Sequence, residues 1–77
     1  MEKVIEHVSV YREEFGNYIY ILFCDKVPVK GIMSDDYIEP TDVKERIKVP
    51  EPYTLELSIH QTQHIVKNME PLEHYYV

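Results

Sequence analysis

YIYILFC, residues 18–24, carries no charge and places a large apolar or aromatic side chain at nearly every position. Successive residues of a strand point to opposite faces. Tyr18, Tyr20 and Leu22 therefore share one side and Ile19, Ile21 and Phe23 the other, so neither side suits water. A strand apolar on both faces belongs inside a sheet that is covered on both sides. This segment predicts the central strand.

The flanks support that reading. Before it, EEFGN (13–17) supplies Gly16 and Asn17, residues that tolerate the positive φ of tight turns. Earlier still, KVIEHVSVYR (3–12) sets Val4, Val8 and Val10 against Ile5, His7, Ser9 and Tyr11. One side is apolar and the other mixed, the pattern of a half-buried strand, and the two strands predict a hairpin. After YIYILFC, Asp25 and Lys26 turn the chain into VPVKGIM (27–33), a third strand weakened by Pro28 and Gly31. Proline lacks the N–H a ladder needs, so this strand is expected at an edge or with a bulge.

SDDYIEPTD (34–42) reads as an acidic connection. VKERIKV (43–49) is a short helix or a strand, with a strand favoured in its second half, and PEP (50–52) forces an extended break. YTLELS (53–58) alternates Leu55 and Leu57 with Thr54 and Glu56, and then the period lengthens. Ile59, Ile65, Val66 and Met69 fall on an arc of about 120° when plotted at 100° per residue. Ser58 is a suitable N-cap and Pro71 a stop, which predicts a helix over about 59–69. The tail LEHYYV (72–77) is apolar enough to dock on the sheet or on another chain. The predicted fold is a single α+β domain spanning residues 1–77: a small antiparallel β-sheet of four or five strands with one C-terminal helix packed on one face.

Composition excludes several functions. With 77 residues, 44% apolar and 29% charged, the chain has ordinary globular composition. A domain this small buries only about 60% of its unfolded surface, which favours a homodimer or larger assembly. No run approaches the roughly 18 apolar residues of a membrane span, and the opening residues are too charged for a signal peptide. An intracellular, cytoplasmic protein is expected. The net charge of −6 opposes direct binding to phosphate backbones. The one cysteine, Cys24, lies within the apolar run and reads as a small buried hydrophobe.

Candidate chemistry is sparse. His60 and His64 stand four apart and share a helix face, which makes them weak candidates for metal ligands. Gln61 occupies the position where a zinc protease needs glutamate, and Lys67 adds positive charge to the same face. The polar reading, an exposed helix face, is preferred. Asp35, Asp36, Glu39 and Asp42 match no calcium loop, and two distant glycines build neither a nucleophile elbow nor a phosphate loop. No cofactor is expected, and a non-enzymatic role is preferred over an enzymatic one. Seven tyrosines without a tryptophan are more telling, because tyrosine couples apolar area to a polar tip and is enriched at interfaces.

The expected function is that of a small acidic protein-interaction module, an inhibitor or adaptor that binds another protein or itself. Its candidate partner-binding residues are Asp35, Asp36, Tyr37, Glu39, Asp42, Tyr75 and Tyr76. Two alternatives stand beside it. One is a nucleic-acid mimic that uses Asp35, Asp36, Glu39, Asp42, Glu45 and Glu51 against a DNA-binding protein; the other is an enzyme or ligand-binding protein whose site forms between subunits around His60 and His64.

Overall fold

The computed structural model describes residues 5–43 and 54–76. Among these residues five strands, β1 (His7–Arg12), β2 (Tyr18–Cys24), β3 (Val27–Ser34), β4 (Thr54–Leu57) and β5 (Glu73–Tyr76), form one antiparallel sheet in the order β4-β3-β2-β1-β5. Helix α1 (Ile59–Asn68) packs on one face, over β3 and β4. This is the expected α+β architecture. The expected strand over the second half of 43–49 lies outside the described residues.

β2 is the middle strand, and its alternation divides the core in two. Tyr20 and Leu22 join Val8, Val10 and Ile32 on one face, closed over by Ile38 and Val43. Ile19, Ile21 and Phe23 join Tyr11 on the other, under Ile65, Val66 and Met69 of the helix segment. The β1–β2 hairpin turns through Gly16 at φ 95, and Arg12 lies over the ring of its cross-strand partner Tyr18. Asp25 and Lys26 make the next turn with φ of 52 and 66, the left-handed pair that a tight hairpin requires. β3 is internal. It accommodates Pro28 by a shift of register: Leu22 pairs with Lys30, but Phe23 pairs with Pro28.

The helix opens on a reciprocal cap. The Ser58 hydroxyl accepts from Gln61 N–H, while the Gln61 side chain accepts from Ser58 N–H. Met69 is the C-cap, so the last helical residue is Asn68, one short of the expected 69. The buried stripe differs from expectation in one residue: Ile59 is 53% exposed, and fully buried Thr62 faces the sheet with Ile65. Thr62 fits there because Gly31 beneath it has no side chain, and its hydroxyl donates to Ser58 C=O at 2.9 Å. Among the described residues, no helix is long and apolar enough to cross a membrane.

Candidate functional site: an acidic tyrosine surface

The 34–42 connection is acidic and exposed, yet it is pinned at both ends. Ile38 is buried, and its N–H donates to the hydroxyl of the fully buried Tyr20. At the start, Asp36 N–H donates to the buried Ser34 hydroxyl at 3.2 Å; near the end, Asp42 N–H donates to Glu39 C=O at 2.8 Å in the 3-10 turn Pro40–Asp42. Between these anchors Asp35, Asp36, Tyr37 and Glu39 face solvent, as does Asp42.

The tail reaches this connection from the far side of the sheet. Because β5 pairs with β1, Glu73 and Tyr75 emerge on the face that the connection crosses. The Glu73 carboxylate accepts from the Tyr75 hydroxyl at 3.2 Å and from the Tyr37 hydroxyl at 3.4 Å. The Tyr37 ring meets Tyr18 edge-on, with centroids 5.3 Å apart, and Tyr75 packs against the core cluster. Two segments more than thirty residues apart in sequence thus form one surface in which tyrosine hydroxyls sit among carboxylates.

The phenols respond to that setting. Partial loss of water, then the negative charges of Glu73 and Glu39, push the Tyr37 phenol up to about 12. Tyr75 is raised as well, by desolvation and then by its bond to Glu73. Both hydroxyls therefore stay protonated donors across the physiological range.

Not every expected residue joins the surface. Tyr76 follows Tyr75 by one residue and so points to the other sheet face, where it is 84% exposed and stacks over His7. His60 and His64 are exposed on α1, where Asn68 lies 3.2 Å from His64 Nδ1. The pair lines an open groove of about 580 Å³ together with Glu13, Ile19, Met33 and Met69. Among the described residues no three His, Cys, Asp or Glu side chains converge as a metal site. Cys24 is free and half-buried.

The chain matches no family model, no curated protein and no solved structure. Geometry alone therefore carries the functional argument.

Sequence reasoning missed Glu73, which joins Tyr37 to Tyr75, and a second group on the opposite face. There His7 Nε2, His74 Nδ1 and Ser9 Oγ converge, 67 and 65 residues apart in sequence. The side-chain parity of His7 and Ser9 on β1 was readable, but the register that adds His74 was not. Desolvation, then the facing His74, lower the His7 pKa, while Glu6 acts the other way.

Proposed function

We propose that this protein is a non-enzymatic protein-interaction module, an inhibitor or adaptor whose binding surface is the acidic tyrosine face built from the 35–42 connection and β5. The observation that carries this reading is the Glu73 carboxylate shared by Tyr37 and Tyr75 beside exposed Asp35, Asp36, Glu39 and Asp42. Tyrosines held in place cost little rotamer entropy on binding, and surrounding carboxylates draw a basic partner by long-range attraction. The partner is accordingly a protein with a basic, hydrogen-bonding surface.

Affinity purification in parallel with the wild type and with Asp36→Lys/Glu39→Lys tests the reading. A common partner retained by the wild type and lost by the charge-reversed chain supports it. Equal recovery by both would remove it.

Self-association is the second reading, and β5 favours it. Among the described residues β5 ends the sheet with its outer edge unpaired, beside the highly exposed Tyr76. Such an edge can add a strand from a second copy. Light scattering from purified protein at micromolar concentration should then give twice the chain mass, and a strictly monomeric mass would exclude a dimer.

A further inference from the structure

The β1–β2 hairpin carries a large apolar residue at its tip, where turns usually hold small or polar ones. Phe15 of EEFGN is 83% exposed. The turn beneath it is closed on itself: Glu13 N–H donates to Asn17 C=O and Gly16 N–H to Glu13 C=O, each at 3.0 Å, and the Asn17 side chain donates to the Glu13 carboxylate. Phe15 is thus presented on a fixed support, with Glu14 exposed beside it.

At the foot of this hairpin lies the open groove of about 580 Å³ between α1 and the sheet. Ile19, Met33, Leu57 and Ile65 give it an apolar floor. Leu55, the cross-strand partner of Met33, extends that floor and is 59% exposed. His60 and His64 form the wall, and Lys67 follows on the same face of the helix. α1 contains no aspartate or glutamate, so it offers a basic surface in a chain of net charge −6.

Tip and groove complement each other twice over. An exposed ring matches an apolar floor, and an exposed carboxylate matches a wall of imidazole and ammonium donors. Within one chain the two do not meet, since Phe15 stays in solvent. Glu13 itself lines the groove, so tip and groove adjoin on one face of the molecule. A two-fold axis between them sets each tip over the other copy's groove, and such a contact closes as a dimer.

We propose that two copies of this chain pair about that axis, each seating Phe15 in its partner's groove and setting Glu14 against the partner's His60 and His64. A domain this small leaves much of its apolar surface uncovered when alone, which favours the pairing. The interface is distinct from the β5 edge and shares with that reading only self-association. It lies on the sheet face opposite the acidic tyrosine surface, so the dimer presents two such surfaces at once.

Sedimentation equilibrium of the full chain, from micromolar to millimolar concentration, tests the pairing. The wild type should approach twice the chain mass. Phe15→Ser should weaken association by roughly tenfold or more, the loss expected of a central aromatic anchor. At concentrations where both are monomeric, its melting temperature should match that of the wild type, because the ring is exposed. Glu14→Lys and His64→Glu should each weaken association, and the two changes together should restore it, because opposite charges face each other again. Tyr76→Lys, at the β5 edge, should leave it unchanged. The proposal is overturned by a strictly monomeric wild type, by undiminished association of Phe15→Ser, or by a doubly charge-swapped chain that pairs no better than the single variants. A dimer lost in Tyr76→Lys and kept in Phe15→Ser would also overturn it and assign the pairing to the β5 edge.

Discussion

Gly31 of β3 lies directly beneath Thr62 of α1, so close that a Cβ on the glycine would overlap the threonine hydroxyl and crowd the methyl ends of Ile21 and Leu57. The helix rests on the sheet at a point where the sheet has no side chain. Gly31→Ala should therefore destabilise the domain by about 1–3 kcal/mol, the usual cost of overpacking a closed core. Combining it with Thr62→Ala should cost less than the sum of the two single changes, because the second removes the main obstruction. Denaturant unfolding of the four proteins measures the coupling.

The Asp25–Lys26 turn holds two side-chain-bearing residues at positive φ. Asn-Gly suits the same backbone without the steric cost that Lys26 bears. Substituting Asn-Gly should raise stability by about 1 kcal/mol and the melting temperature by roughly 4–8 °C, measured by calorimetry.

Tyr20→Phe should preserve the packing of the core but leave the Ile38 N–H buried without an acceptor. That loss is expected to cost about 1–3 kcal/mol. Amide exchange should show the effect concentrated at Ile38 and its neighbours.

Tyr37 gives the protein a stability term at alkaline pH. Its phenol pKa is higher in the folded chain, about 12, than the ordinary 10.0. The folded state thus holds the proton more tightly, and the contribution is complete below pH 10 and is lost as pH rises through 12. Since Tyr37 is 43% exposed, solvent screening keeps the effect small. Unfolding followed from neutral to alkaline pH should show a shallower decline for Tyr37→Phe than for the wild type.

Much of the fold was legible because its strongest determinant is local. YIYILFC is apolar on both faces, and only an internal strand satisfies that; Ser58 and Pro71 bracket the helix; Pro28 signals the bulge. The Thr62 position was not legible, since a helical wheel ranks Ile59 above threonine and cannot see the gap over Gly31. The candidate surface was legible only as separate pieces. Asp35, Asp36, Tyr37 and Glu39 stand out in sequence, but Glu73 acquires its role solely from the β1–β5 register, which a four-residue strand does not announce. Strand alternation parts Tyr75 from Tyr76, and the same register brings His74 to His7.

The most direct test of the binding surface is the association rate with the purified partner, followed across ionic strength for the wild type and for Asp35→Asn/Asp36→Asn/Glu39→Gln/Asp42→Asn. All four side chains are exposed, so the fold and melting temperature should be unchanged. The variant should associate more slowly at low salt and approach the wild-type rate as salt screens the charges. Identical association rates at every ionic strength would contradict an acidic surface that guides the partner in.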